Sequence, residues 1–594
     1  MTYLSRRGLL GAGSGALALS AVSGGAHAAS STGRGARGVV RSTVRRMTLP
    51  QKVGQLFMSE VHGIDPTVPD ARNERLFGIA RAVDVVRELH LGGVIYFGWT
   101  DSFRDGPRGV ATLSNALQDA ARTVPRGGKV AVPLLVATDQ EMGVVTRLGK
   151  PATQFPGSMA LGAGRSTTDA RVAAEITGME LRAVGINVDF APDADVNVDP
   201  ANPVIGVRAF SSDPELVARL VAAQVRGYQG RGHVASAAKH FPGHGDTATD
   251  SHVDLPVIDH DLDEWRRIDL PPFRAAIATG IDMMMTAHLL VPALDDSGVP
   301  ATLSKRILTD VLRGELGYEG VIVTDSLAMA GVRERFGDDA EVAVRALEAG
   351  ADLLLMSPEP VKARDAILAA IRSGRLPERD IERKVERILE LKHRRGIVRT
   401  PTVDVDAVDG FVGNDAHERI ARDVTDRTIT LTHHDGLLPF EVRAKQVLVA
   451  GWGPSTTTDV AAAFERAGAT VERIVTGDDP TAEQIEQCVR AARGNDLTVL
   501  LTYDVEPDSA QVRLVTALTE AGATFVAVAV RNPYDVARYD AANALCTYST
   551  SPVMAESLVR VVTGLAEPRG KLPVDVPTAD GTGIALPFGH GLST

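Results

Sequence analysis

Between Lys239 and His252 the chain reads KHFPGHGDTATDSH, with one lysine, three histidines and two aspartates in fourteen residues. An imidazole changes charge near neutrality, and a neighbouring carboxylate can fix its tautomer, which suits such a pair to giving and taking protons. A lysine beside them can orient hydroxyls or steady an anion. Pro242, Gly243 and Gly245 exclude a helix, so these groups sit on a loop. The loop follows Val234-Ala235-Ser236-Ala237-Ala238, a run that reads as a buried parallel strand. A solvated polar loop is one reading. A zinc site is another, since His240 and His244 have the gap of zinc motifs, but that gap stacks two imidazoles only on a helical face, which the proline and glycines forbid.

The elements that must position these groups are legible as alternation. From Leu49 to about Arg395, short apolar runs alternate with segments of helical apolar spacing. Eight runs read as strands: Gln55–Met58, Gly93–Phe97, Leu134–Thr138, Asn187–Ala191, Ala235–His240, Met283–His288, Val321–Thr324 and Asp352–Met356. Eight β/α repeats predict a TIM-type (β/α)8 barrel, whose active groups lie at the carboxyl ends of its strands. Asp139 follows the third run, Lys239 and His240 end the fifth, His288 ends the sixth and Asp325 follows the seventh. Beyond a turn-rich acidic stretch, Gln446–Ala450, Thr470–Val475, Leu497–Tyr503, Thr524–Val530 and Ala544–Ser549 predict a smaller αβα sandwich domain built on a parallel sheet. Ala421–Leu431 is expected as its entry helix.

The N-terminus reads as an export signal. Ser5-Arg6-Arg7-Gly8-Leu9-Leu10 opens a weakly apolar run to Val22, and Ala26-His27-Ala28 offers a small-residue cleavage site. No cysteine follows that site, and the run is too short to span a bilayer, so no membrane anchor is expected. The expected divisions are a twin-arginine signal over 1–28, a mobile spacer over 29–48, the barrel over 49–398, a linker over 399–415 and the second domain over 416–594. A length of 594 residues requires more than one core, and a net charge of −12 argues against nucleic acid or an anionic membrane as main partner. The two cysteines, Cys488 and Cys546, read as buried thiols, although an exported chain could pair them. Nothing suggests a structural metal or a cofactor, and no phosphate loop of the GxxxxGK type is present.

The string KHFPGHGDTATDSHVDLP, from Lys239 to Pro256, resembles the signature of glycoside hydrolase family 3, in its β-N-acetylglucosaminidase branch. The resemblance continues through Arg531-Asn532-Pro533-Tyr534-Asp535, Gly570-Lys571-Leu572-Pro573-Val574 and Pro587-Phe588-Gly589-His590-Gly591-Leu592. It implies a carbohydrate substrate and a retaining glycosidase, which needs a carboxylate beneath the anomeric carbon and a proton donor beside the leaving oxygen. Val321-Ile322-Val323-Thr324-Asp325-Ser326-Leu327 resembles the nucleophile segment, making Asp325 the nucleophile. In this branch the donor is a histidine held by an aspartate two residues earlier, which places the roles on His252 and Asp250. Asp139 and Arg147 in DQEMGVVTR, with Arg208, Lys239 and His240, match the positions that clamp sugar hydroxyls. One departure is visible: the family usually has two glycines after the glutamate of that motif, and Met142 replaces the first.

What the resemblance implies is exo-acting removal of a terminal β-N-acetylglucosamine from muropeptides or chitin oligosaccharides outside the cytoplasmic membrane. A phosphorylase is an alternative, because the neutral imidazole left after proton donation repels an anionic acceptor less than a carboxylate does. A β-glucosidase of the same family and an inactive sugar-binding wall protein are the others.

Overall fold

The computed structural model describes residues 37–123, 128–250, 255–336 and 338–594. Eight short parallel strands form the first sheet: β1 (Phe57–Glu60), β2 (Gly93–Ile95), β3 (Leu135–Thr138), β4 (Val188–Asp189), β5 (Ala235–Phe241), β6 (Met283–Thr286), β7 (Val321–Val323) and β8 (Leu354–Leu355). Neighbours in sequence are neighbours in the sheet, and β1 also pairs with β8. A Val323–Leu353 bridge and the Thr324 N–H to Leu353 carbonyl bond (3.0 Å) join β7 to β8, so the cylinder closes. All eight predicted runs are strands. Each is buried almost throughout, because side chains pointing inward meet the barrel core and those pointing outward meet helices. Those helices include Gly106–Arg122, Thr167–Ala183, Pro214–Gln229, Asp339–Ala349 and Glu378–Arg394.

Part of the expected spacer over 29–48 is folded. Residues 37–46 are helical, and Val40, Val44 and Met47 are buried in the barrel core. Their spacing puts three apolar side chains on one helical face, a stripe that the surrounding arginines and glycines hide from a reading by composition. The expected linker is also packed down. Asn115 exchanges two bonds with the backbone of Val403 (2.8 and 2.9 Å), and Val408 and Val412 are buried.

The second sheet holds β9 (Thr430–His433), β10 (Gln446–Gly451), β11 (Thr470–Val475), β12 (Leu497–Thr502), β13 (Phe525–Ala529) and β14 (Ala544–Cys546), in the order β11-β10-β12-β13-β14-β9. Five strands are parallel; β9 runs antiparallel against β14. The expected entry helix is corrected here. The helix Asp415–Asp426 stops early, and Thr430–His433 becomes an edge strand, as the alternation Thr428-Ile429-Thr430-Leu431-Thr432 favours. Cys488 and Cys546 are both unpaired and buried, in apolar clusters on opposite sides of this sheet.

The two sheets share packing. Met159, Ala160, Ala163 and Val207, from the barrel half, belong to the same apolar cluster as Leu431, Val449 and Leu558. Ser211 Oγ and the Ser212 N–H both donate to the Pro573 carbonyl, Asn197 Nδ2 donates to Tyr534 Oη at 3.1 Å, and the Arg165 guanidinium lies over the Phe588 ring. Among the described residues no helix is long and apolar enough to cross a membrane.

Candidate active site

The carboxyl ends of the barrel strands surround a cavity of about 630 Å³. Asp325, Asp139, Arg147, Arg208, Lys239, His240 and Asp250 all line it. Seven of the eight residues that the resemblance gave a role therefore meet in one place; the eighth, His252, lies outside the described residues.

β5 carries the cationic centre. Lys239 Nζ lies 2.8 Å from Asp139 Oδ1 and 2.6 Å from Glu141 Oε1, and its side chain is buried. Glu141 also receives Arg208 in a fork, from Nε and from a terminal nitrogen, both at 2.9 Å. Burial alone would push the Glu141 carboxyl up, but Arg208 and Lys239 overcome it and hold Glu141 well below the usual carboxylate range. Burial likewise opposes the charge on Lys239, and Asp139 and Glu141 outweigh it, so its ammonium is held more firmly than a free lysine's. Two cations and two anions thus form a closed cluster whose outer atoms face the cavity.

Behind it, His240 is held by Asp195. Nδ1 lies 2.7 Å from Asp195 Oδ2, while Asp195 Oδ1 accepts the backbone N–H of His240 (3.2 Å) and of His244 (2.8 Å). A carboxylate only accepts, so Nδ1 carries the proton, and Nε2, 3.3 Å from Arg208, faces the cavity side. Asp193, Asp195 and His240 bring potential ligand atoms within 4.8 Å of one another. Burial and the neighbouring Asp195 push the Asp193 carboxyl well up, and Arg208 already supplies a cation 3.9 Å away. Burial pushes the His244 imidazole down to about 4, leaving it neutral.

Asp325 stands just past β7. Its Oδ1 accepts the Ser326 N–H at 2.7 Å, and His288 Nε2 donates to the Ser326 carbonyl at 2.9 Å, fixing the backbone that follows. Burial would raise its carboxyl, but the fields of His240 and His288, the Ser326 N–H and Lys239 lower it below the ordinary value. Asp325 is therefore ionised at neutral pH, as a nucleophile must be.

Several contributors were not assigned from sequence. Glu141 sits inside DQE, two residues past Asp139, and Asp193 and Asp195 follow β4 in APDAD; acids at strand ends were the available signal. Arg531 reaches the cavity from the second domain, tied to Tyr503 Oη and to Asp504 Oδ2 (2.8 Å). Phe97 and Trp99 stack at 4.0 Å between ring centroids on the cavity wall, with Trp99 largely exposed. Met142, the visible departure, has φ +70°, the left-handed region that glycine enters freely. A glycine would take this backbone conformation without strain, and Met142 turns its side chain into a buried position.

A barrel mouth lined by an ionised aspartate and by buried cations and carboxylates is an arrangement that a retaining glycoside hydrolase can use, since its nucleophile is such a carboxylate. The chain belongs to glycosyl hydrolase family 3: residues 48–391 match the family's N-terminal domain and residues 428–593 its C-terminal domain. It is similar to beta-hexosaminidase A of Pseudoalteromonas piscicida, 37% identical over 388 residues, which covers 61% of this chain and 63% of that one. It is 31% identical to the beta-N-acetylglucosaminidase/beta-glucosidase of Cellulomonas fimi over 573 residues, 90% of this chain and 95% of that one. A solved family 3 beta-N-acetylglucosaminidase from Paenibacillus sp. str. FPU-7 superposes with a TM-score of 0.80 at 38% identity, covering 90% of this chain and 99% of that one.

Proposed function

We propose that the protein is an exo-acting, retaining β-N-acetylglucosaminidase that works on cell-wall muropeptides or chitin-derived oligosaccharides, exported through the twin-arginine pathway. The observation that carries the reading is the convergence of Asp325, the Lys239–Asp139–Glu141–Arg208 cluster and Asp250 on one cavity, together with the Asp250-Ser251-His252 string. The export signal supports an extracytoplasmic substrate, and it lies outside the described residues.

Asp325 attacks the anomeric carbon while the bond to the leaving oxygen breaks, and His252 gives that oxygen its proton. The product of this step is a glycosyl ester on Asp325 and a neutral His252. Water then loses a proton to His252 and attacks the same carbon, which frees Asp325 and releases the sugar with its configuration retained. Asp250 fixes the His252 tautomer and stabilises the imidazolium, as a carboxylate does behind a catalytic histidine. Asp139, Arg147, Arg208, Lys239 and His240 hold the ring so that its anomeric carbon meets Asp325, and that orientation supplies much of the rate.

The test compares p-nitrophenyl N-acetylglucosaminide with the glucoside, each with and without phosphate, and then chitobiose with N-acetylglucosaminyl-muramyl compounds. Release of N-acetylglucosamine without any sugar 1-phosphate is expected. Preference for the glucoside, phosphate-dependent formation of a sugar 1-phosphate, or no turnover at all would each replace the proposal.

A further inference from the structure

His260 lies outside the cavity and has no part in the mechanism above, yet its ring is held at both ends by acids. Nε2 is 2.8 Å from Asp246 Oδ2 and Nδ1 is 2.8 Å from Asp269 Oδ2. Because a carboxylate only accepts, both ring nitrogens donate, and a ring with two N–H groups is an imidazolium. Asp246 belongs to the HGDTATD loop that leads to Asp250 at the cavity wall; Asp269 is fully buried just before the helix Leu270–Thr279.

Two other contacts tie the same pieces together. Trp265 Nε1 donates to the Pro242 carbonyl at 2.9 Å, and a side chain on Gly243, whose φ is +131°, would strike Asp269 at under 3 Å. The loop is thus fastened at 242–243 by close packing and at Asp246 by charge. Three residues, Thr247, Ala248 and Thr249, separate Asp246 from Asp250.

We propose that His260 is a positioning residue: by bridging Asp246 to the buried Asp269 it sets where the loop delivers Asp250, and through Asp250 the orientation of the proton donor. The proposal rests on His252 being that donor. The bonds to Asp246 and Asp269 push the His260 ring up to about 10, and burial opposes them. The ring therefore keeps both protons throughout the neutral range. Burial raises the Asp269 carboxyl, the bond to His260 opposes that rise, and Asp195 and Asp246 add to it with their negative fields.

In the first step, which kcat/KM reads, a positioning residue of this kind matters only when the leaving oxygen needs a proton; in the second step it matters for every substrate, because water gives its proton to the same histidine. The experiment measures kcat and KM for wild type, His260→Ala, Asp246→Asn and His252→Ala on chitobiose and on the 2,4-dinitrophenyl N-acetylglucosaminide. Asp246→Asn keeps the His260–Asp269 pair, so it decides the matter if His260→Ala fails to fold. The expected result is a loss in kcat/KM on chitobiose of about ten- to a hundredfold in both variants, with kcat/KM on the dinitrophenyl substrate changed by less than about threefold. Equal losses on the two substrates in Asp246→Asn, or no loss on chitobiose in the variants that fold, overturn the proposal. His252→Ala separates this from the donor assignment. If it alone shows the split between substrates, His260 is not a positioning residue and His252 stands; if it loses equally on both, the donor assignment falls and the proposal with it.

Discussion

Glu141 is the most informative side chain to change, because it joins the two buried cations of the site. In Glu141→Gln the shape is kept, one oxygen still accepts, and the other becomes an amide that turns donors toward donors. The cluster goes from two cations and two anions, Lys239, Arg208, Asp139 and Glu141, to a net charge of +1 in a buried setting. Removing one partner of a buried, hydrogen-bonded ion pair costs about 3–5 kcal/mol, which in kcat/KM corresponds to roughly two to four powers of ten if it all appears in the transition state. Part of it will appear as lost stability instead, so the expected fall in kcat/KM on p-nitrophenyl N-acetylglucosaminide is about 10²–10³-fold at pH 7. The sign of the pH effects follows. The Glu141 carboxyl is held low in the fold, so its contribution to stability is present above the unfolded value and is lost as acid protonates it; the gap in melting temperature between variant and wild type narrows on acidification. With less negative charge beside Lys239, Asp325 feels a stronger positive field, and the acid limb of kcat/KM moves to lower pH. A variant that melts with wild type and keeps kcat/KM within about threefold would show that the cluster does not hold the sugar-binding side chains in place.

Asp325→Asn should abolish turnover of activated and natural substrates alike, whereas His252→Ala should spare kcat/KM on substrates with good leaving groups; kcat/KM on both kinds checks this. Lys392, buried at the end of the helix Glu378–Arg394 with its Nζ 2.9 Å from Gln55 Oε1, is pushed by burial down to about 7. The unfolded chain then binds one more proton than the fold between about pH 7 and pH 10, so wild-type stability rises across that window. Lys392→Met removes the dependence. It should stabilise by about 2–4 kcal/mol at pH 6, after the cost of leaving Gln55 without its donor, and by much less at pH 10, measured by denaturant unfolding. Cys488 and Cys546, on opposite sides of the second sheet, should both resist a thiol reagent in the native protein and both react in denaturant without a reductant.

The barrel was legible because each of its strands is a run of apolar residues bounded by turn signals, and burial on both faces leaves no other use for such a run. The placement of Asp139, Lys239, His240 and Asp325 followed from strand ends alone. Glu141, Asp193 and Asp195 did not, because a strand-end acid has the same local appearance whether it faces substrate, a cation or a second acid; only the fold brings Asp195 to His240 and Glu141 to Arg208. The first two residues of the strand Thr430–His433 read as the end of the helix Ala421–Leu431 because they adjoin it, and the strand's partner β14 lies more than a hundred residues away in sequence. The helix over residues 37–46 was missed for the opposite reason: three apolar side chains on one face are too few to stand out against a polar composition.

The shared packing of Met159, Ala160 and Val207 with the second sheet, and the bonds from Ser211, Ser212 and Asn197 to Pro573 and Tyr534, have a consequence for anyone trimming the chain. A barrel cut free at the linker would carry an oily scar along one flank and several polar groups stripped of their mates, a few residues from the turn that bears Arg208. The catalytic half is therefore not a portable cassette, and engineering that seeks a smaller enzyme would have to rebuild that flank before touching the chemistry.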